Sequence, residues 1–189
     1  MNDVTIVIPN RAGETPMLTI QSLYKQRYQH FDIILVNDFQ NNANMARNHG
    51  LSMVKTEFVL FSDNDINWYP LAIEQMHSAL LKDKGISYAY GAYEMGGALH
   101  CNKAFDRAEL RRKNYISTMT LVRTVHHPGW DNNIKRLQDW DVWLTMLSQG
   151  HSGKYLFQTI FSTPVRNGIT RNSISWEEAV KAIKQKHNL

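Results

Sequence analysis

The sequence of 189 residues contains little cysteine, since Cys101 is the single one. One cysteine excludes an intramolecular disulfide and a zinc cluster built from cysteines, and it is typical of a reducing compartment, so we expect a cytoplasmic location. No basic leader precedes the first strand-like segment, and no apolar run approaches the roughly 20 residues needed to cross a bilayer. These absences predict a protein that is soluble or peripheral at a membrane.

Repeats and low-complexity segments are absent as well. Hydrophobic residues make up 43% and charged residues 20% of the chain, which favours an ordered protein, and the length favours one domain. The net charge of +4 and the pI of about 9.2 attract phosphates, anionic lipid or nucleic acid. Apart from residues 111–113 and the C-terminal lysines, the basic residues are scattered and form no stripe with stacking aromatics, so we expect no nucleic-acid partner.

Apolar periodicity predicts alternating strands and helices in the first half of the chain. The predicted strands cover residues 4–8, 31–36, 58–61 and 86–93, and helical spacing predicts helices over residues 16–28, 41–55 and 70–82. This order is typical of a parallel sheet with right-handed crossovers. In the less regular second half we predict strands over residues 115–122 and 155–160, and helices over residues 139–149 and 175–186.

Carboxylates follow two of the predicted strands. Asp63 and Asp65 come directly after the third strand, and Asp38 follows the second. Open α/β sheets bind ligands at the carboxyl ends of their strands, and paired carboxylates offer hard oxygen ligands to Mg²⁺ or Mn²⁺ that can be shared with a diphosphate. The same spacing recurs at Asp139 and Asp141, and acidic pairs also cap helices or form turns, so the spacing alone leaves both interpretations open.

Five segments together resemble a family-2 glycosyltransferase of the GT-A fold, an inverting enzyme that uses a nucleotide-sugar donor. They are VTIVIPNR (4–11), ILVND (34–38), ARNHG (46–50), FSDND (61–65) and LQDWDVWL (137–144). The last looks like the family segment whose first aspartate is the catalytic base. The resemblance implies a single α/β GT-A domain over residues 1–189, with a mostly parallel central sheet flanked by helices. It also implies a nucleotide-sugar-binding half, residues 1–92, and an acceptor and catalytic-base half, residues 93–189.

The resemblance also assigns roles to individual residues. It implies that Asp139 is the general base and that Asp63 and Asp65 hold Mn²⁺ or Mg²⁺. The implied donor-binding residues are Pro9, Asn10, Arg11, Asp38, Arg47, Asp63 and Asn64. The implied acceptor contacts are Trp130, Trp140 and Asp141, although buried tryptophans more often form core or pocket wall than a sugar platform.

The sequence departs from the family pattern at two places. The usual second acid of the D-D-G-S turn after the second strand is replaced, since Asn37 precedes Asp38 and Phe39 and Gln40 follow it, so the contact with the base can differ. Residues 165–168 offer arginine and asparagine where many relatives carry a metal-binding histidine, which leaves the third metal ligand open.

The predicted function is metal-assisted, inverting transfer of a sugar from a UDP, GDP or dTDP donor to a hydroxyl of a glycan, a lipid-linked saccharide or a protein. A non-catalytic nucleotide-sugar or glycan-binding module is an alternative, and so is a nucleotidyltransferase on a similar fold. Nucleotidyltransferases usually carry a glycine-rich, basic loop after the first strand, and only Arg11, Ala12 and Gly13 stand there.

The last predicted helix allows two interpretations. It has Trp176, Val180 and Ile183 on one side and lysines elsewhere, so its apolar stripe can pack on the core of the domain or dock peripherally on an anionic membrane. The sequence leaves both open.

Overall fold

A computed structural model describes residues 2–11, 13–37, 42–165 and 174–189. The strands in this part of the chain are β1 (Val4–Asn10), β2 (Phe31–Asn37), β3 (Phe58–Phe61), β4 (Asn67–Trp68), β5 (Tyr88–Met95), β6 (Ala98–His100), β7 (Leu121–Arg123) and β8 (Gly153–Thr163). The helices are α1 (Met17–Tyr24), α2 (Ala43–Met53), α3 (Ala72–Lys82), α4 (Arg107–Arg112), α5 (Gln138–Ser148) and α6 (Trp176–Lys186). A 3₁₀ turn, Thr124–His126, follows β7.

One mixed sheet contains these strands in the order β2-β1-β3-β7-β5-β8-β4, and β6 pairs with the end of β5. β1 is parallel to β2 and β3, and β5 is parallel to β8. β7 lies between β3 and β5 and is antiparallel to both, so β3 and β5 share one direction. The predicted α/β architecture with a mostly parallel sheet flanked by helices is confirmed.

The strands at the centre are apolar on both faces because helices cover both sides of the sheet. Val7 faces one core cluster, with residues of α2, α5 and α6, whereas Ile6 and Ile8 face the other, with residues of α1 and α3. Successive side chains of a strand point to opposite faces, so a strand covered twice must read as a continuous apolar run. This explains the run of residues 4–8.

Helix α2 starts and packs as its sequence requires. The Asn42 side chain caps it by accepting from the backbone N–H groups of Asn44 and Met45, at 3.0 and 3.3 Å. Gly50 faces β1, where an added Cβ would lie 2.3 Å from Cγ1 of Val7. The glycine therefore lets α2 approach the sheet closely.

The segment predicted as a strand over residues 115–122 joins the sheet only from Leu121 onward. Before that point its backbone serves the core in another way, because the carbonyl of Ile116 accepts a hydrogen bond from Nε1 of Trp143 at 2.9 Å. Helix α4 precedes it and was not predicted. Its N-cap, Asp106, was a readable signal, but its six residues are too few to show a helical period.

Helix α6 packs partly on the domain. Ser175 begins it with a capping box, and Ala179 and Ile183 are buried in the core. Trp176, on the same stripe, remains 51% exposed. Among the described helices, none has the length and apolar content that a membrane span requires.

Candidate active site

An amide network joins three neighbouring chain segments at the carboxyl edge of the sheet. Nδ2 of Asn10, at the end of β1, donates to Oδ1 of Asn37, at the end of β2, over 2.9 Å. Nδ2 of Asn64, after β3, donates to Oδ1 of Asn10 at 2.9 Å and to Oε2 of Glu14 at 2.6 Å. Because parallel strands end at the same edge, the structure brings the predicted donor residues Asn10 and Asn64 together.

Arg47 is a buried ion-pair partner of Asp63. Its side chain comes from α2 and is only 8% exposed as a residue, and Nη2 donates to Oδ1 of Asp63 at 2.9 Å. The guanidinium lies over the ring of Trp130, 4.7 Å from the centroid. Asp63 itself keeps a side-chain exposure of 41%, so this ion pair borders solvent.

Two buried donors at this place have no hydrogen-bond partner within the described residues. They are Nε of Arg47 and Nε1 of Trp130. A buried donor without a partner is costly, and the oxygen of a ligand would relieve that cost. The side of the site formed by Arg47 and Trp130 thus has hydrogen-bonding capacity to offer.

Asp63 and Asp65 follow β3 and are both partly exposed. Among the described residues, no group of three or more His, Cys, Asp or Glu side chains is placed to hold a metal ion. Two carboxylates fit a Mg²⁺ or Mn²⁺ ion that takes its remaining ligands from water and substrate phosphates rather than an all-protein cage. The place of the missing histidine, residues 166–168, lies outside the described residues, as does Asp38.

Asp139 lies in the first turn of α5, after Leu137 in a left-handed conformation with φ of 62°. Its Oδ1 accepts the backbone N–H of Trp140 at 2.9 Å. Burial raises the pKa of Asp139 above its usual range, although a hydrogen bond from the Asn114 side chain, the Trp140 N–H and the charge of Arg47 act in the opposite direction. Hydrogen bonds and the charge of Arg47 favour the ionised carboxylate, whereas burial disfavours it, and the effect of burial is the larger.

The predicted acceptor residues are all buried. Trp140 is 1% exposed and its Nε1 donates to the Leu110 carbonyl at 2.7 Å. Asp141 is 3% exposed and accepts from Nζ of Lys186 and Nε2 of His187, each within 3 Å. Trp130 is 5% exposed and lies beside Arg47. Their role with an acceptor stays a prediction, and for Trp140 and Asp141 it would be indirect in this arrangement.

Pro9 and Arg11 flank the amide network. Pro9 pairs with Val36 within the sheet, and Arg11 follows β1 with its Nη1 4.0 Å from Oε1 of Glu14. Glu14 and Asn114 are site residues that the sequence did not reveal. Glu14 lies between β1 and α1 and Asn114 lies between α4 and β7, and neither stands in a periodic segment or in a readable motif.

The fold is that of the GT-A class, and solved structures share it over nearly the whole chain. S. aureus TarS (residues 1–349) in complex with UDP-GlcNAc matches with a TM-score of 0.76 and 13% identity, over 99% of this chain and 65% of that one. This chain therefore spans less than two thirds of the TarS chain. At such identity the likeness establishes the fold alone, and the predicted GT-A fold is confirmed.

Two further structures carry a metal ion. Glucosyl-3-phosphoglycerate synthase from Mycobacterium tuberculosis, with Mn²⁺, UDP and glucosyl-3-phosphoglycerate, matches with a TM-score of 0.67 and 14% identity, over 98% of this chain and 80% of that one. The mannosyltransferase PcManGT from Pyrobaculum calidifontis, with GDP-Man and Mn²⁺, matches with a TM-score of 0.68 and 12% identity, over 90% of this chain and 59% of that one. No family model and no curated protein matches the sequence.

Proposed function

We propose that this protein is an inverting glycosyltransferase that moves a sugar from a nucleoside-diphosphate donor to a hydroxyl of a glycan, a lipid-linked saccharide or a protein. The observation that carries the proposal is the position of Arg47, which pairs with Asp63 at 2.9 Å while its charge also acts on Asp139. Arg47 thus pairs with one of the acids that follow β3 and also favours the ionised form of Asp139. Solved structures of the same fold contain UDP, UDP-GlcNAc and GDP-Man.

The donor would lie along the carboxyl edge of β1, β2 and β3. The amide network of Asn10, Asn37 and Asn64 offers neutral donors and acceptors to the nucleoside, and Asp38 is assigned to a base N–H or a ribose hydroxyl. Arg47 would meet phosphate oxygens, since its Nε is a buried donor without a partner among the described residues.

Asp63 and Asp65 would hold Mn²⁺ or Mg²⁺ at this edge. When bound there, the cation supplies electrostatic stabilisation of the negative charge that develops on the leaving diphosphate. Mn²⁺ is present in solved structures that share the fold, among them the two described above.

Asp139 would act as general base. Its carboxylate takes the proton of the acceptor hydroxyl while that oxygen forms a bond to the anomeric carbon, and the bond from this carbon to the diphosphate oxygen breaks with its electron pair going to the diphosphate. Attack from the opposite face inverts the configuration. The raised pKa makes Asp139 a stronger base than a solvated aspartate and supports this role over that of a non-catalytic binding module.

Calorimetric titration of UDP, GDP, dTDP and CDP, with and without Mn²⁺, tests the donor and metal assignment. We expect one nucleotide to bind and Mn²⁺ to increase its affinity. In Asp65→Ala this increase in affinity should be smaller by roughly 10- to 100-fold or more, since even the loss of an outer-shell partner of a metal has an effect of that size. Asp32→Ala, an exposed aspartate on β2, is the matched control. Wild-type affinity of Asp65→Ala for the metal–nucleotide complex would remove Asp65 from the cation site.

We also propose a peripheral contact between α6 and anionic membrane. A shallow groove on its outer side and a second groove beside it contain four basic side chains and one acidic side chain. The first groove is lined by Trp176, Glu177, Val180, Lys181, Lys184, Gln185 and Leu189, and the second adds Arg111 and Arg112 of α4. An exposed tryptophan among basic side chains is typical of interfacial helices.

A further inference from the structure

Two segments that carry the proposed site are fastened to the end of α6 by one lysine. Nζ of Lys186 lies 2.7 Å from Oδ2 of Asp131 and 2.8 Å from Oδ1 of Asp141. Nε2 of His187 lies 2.8 Å from the same Oδ1 of Asp141. The side chains of Asp141 and His187 are 5% and 11% exposed, whereas those of Lys186 and Asp131 are 36% and 28% exposed, so the contact is shielded at Asp141 and borders solvent at Asp131.

The first of these segments is the start of α5. Asp141 stands two residues after Asp139 in the same helical turn, and its backbone N–H donates to the Leu137 carbonyl at 3.1 Å. Because the two residues share one helical turn, a displacement of Asp141 would carry the backbone of Asp139 with it.

The second segment is the loop at Trp130 and Asp131. Asn48 holds the backbone of Trp130 on both sides, accepting its N–H at 2.8 Å and donating to its carbonyl at 2.7 Å. The ring of Trp130 lies beneath Arg47, which pairs with Asp63. A displacement of Asp131 would therefore shift the neighbouring Trp130 and, with it, the guanidinium of Arg47.

The ammonium group of Lys186 lies between the carboxylates of Asp131 and Asp141. Although burial acts against its charge, hydrogen bonds to Asp131 and Asp141 raise the pKa of Lys186, and a hydrogen bond from Lys186 lowers the pKa of Asp131. A buried carboxylate such as Asp141 needs a cation beside it, and removal of that cation leaves an uncompensated charge.

We propose that Lys186, assisted by His187, is a positioning residue that sets the distance between the donor-side Arg47 and the base Asp139 by holding Asp131 and Asp141 together. The inference rests on the proposed function for what is positioned. It adds that the last turn of α6, remote in sequence from both acids, belongs to the active-site support.

Lys186→Met tests this clamp, the contact of Lys186 and His187 with Asp131 and Asp141. Lys186→Arg is the conservative variant, and Lys84→Met, which changes an exposed lysine after α3, is the control. Small displacements of catalytic groups can cost about 100-fold in rate, so we expect kcat to fall by roughly 10- to 100-fold in Lys186→Met. Its affinity for the nucleotide should also weaken, while Lys186→Arg should recover most of both. A lowered melting temperature with wild-type kcat and donor affinity would mean a merely structural contact and would overturn the proposal.

A double-mutant comparison separates the effect of Lys186 on Asp139 from its effect on Arg47. In an Asp139→Asn background, Lys186→Met should lower kcat no further, because the base that it positions is gone, but it should still weaken nucleotide binding through Arg47. Full additivity in kcat would contradict the proposed link between Lys186 and Asp139.

Hydrogen exchange keeps this proposal distinct from the proposed function. If the wild-type protein neither binds a nucleotide nor transfers a sugar, the assigned function fails, yet amide exchange over residues 130–141 still reports on the clamp. Faster exchange there in Lys186→Met than in Lys84→Met supports the clamp, and equal exchange refutes it.

Discussion

Asp139 concentrates the proposed chemistry in one carboxylate. Asp139→Asn is isosteric and retains an acceptor for the Trp140 N–H, so it should remove the base with little change in structure. We expect turnover to fall about 10²- to 10⁴-fold, the usual contribution of general-base assistance, with donor and metal affinity nearly unchanged. Donor hydrolysis can serve as the assay until an acceptor is found. Near-wild-type turnover, or a loss explained by weaker nucleotide binding alone, would take this role from Asp139.

The raised pKa of Asp139 also fixes the sign of the pH dependence. The base must be ionised, so kcat should fall as the pH is lowered through a pKa that lies above the ordinary value of 3.8, and Asp139→Asn should lose this acid limb. The proton is bound more tightly in the folded state, so the ionised carboxylate opposes folding once the pH exceeds the ordinary value. Asp139→Asn should thus keep its stability near pH 7, and a large drop in melting temperature would contradict this account.

Single residues show how far the sequence could predict the site. Asp63 and Arg47 were predicted because each stands in a short segment with a recognisable neighbourhood. The stacking of Arg47 on Trp130 joins residues far apart in the chain, and no periodicity encodes it. The ion pairs of Asp141 were equally hidden, since its spacing from Asp139 only repeated the pattern at Asp63 and Asp65.

At the level of elements, α2 depends on one glycine. Helix propensity alone would make Gly50→Ala stabilising by about 1 kcal/mol, but the new Cβ would lie 2.3 Å from Cγ1 of Val7. Overpacking of this kind costs about 1–3 kcal/mol, so we expect a net loss in the free energy of unfolding. Urea denaturation measures it, with Gly85→Ala as control, where the Cβ would meet only a side-chain oxygen at 3.2 Å. Because Arg47 stands on the same helix, nucleotide affinity should fall too; unchanged stability and affinity would show that α2 shifts freely.

Long helices and buried strands were predictable because each repeats a period over several residues. Strand β4 has two residues and β6 has three, and they exist because Trp68 pairs with Phe161 and Leu99 pairs with Glu94. The insertion of β7 between β3 and β5 likewise depends on pairing across the chain rather than on local pattern. Tertiary packing determines which strands pair, so the order of the strands could not be predicted from the local sequence pattern.

For the whole molecule, the proposed membrane contact should be electrostatic and interfacial. We expect co-sedimentation with vesicles of acidic lipid that weakens with added salt, since each basic residue near such a surface contributes about 1 kcal/mol and is screened within a Debye length. Trp176→Ser and Lys184→Glu should each reduce binding, whereas Lys25→Glu, after α1, should leave it unchanged. Vesicle binding that does not depend on the salt concentration, or no binding at all, would contradict the membrane proposal.

The place of β7 has a consequence for how the protein is made. β3 is a strand of four buried apolar residues, and its edge away from β1 pairs with residues 121–123. During synthesis the first three strands can pair before β7 has left the ribosome. Until then the apolar strand β3 has an unpaired edge that other chains can bind. The nascent chain therefore passes through a period of aggregation risk that ends when β7 docks, and a fragment that stops at residue 92 would never leave it.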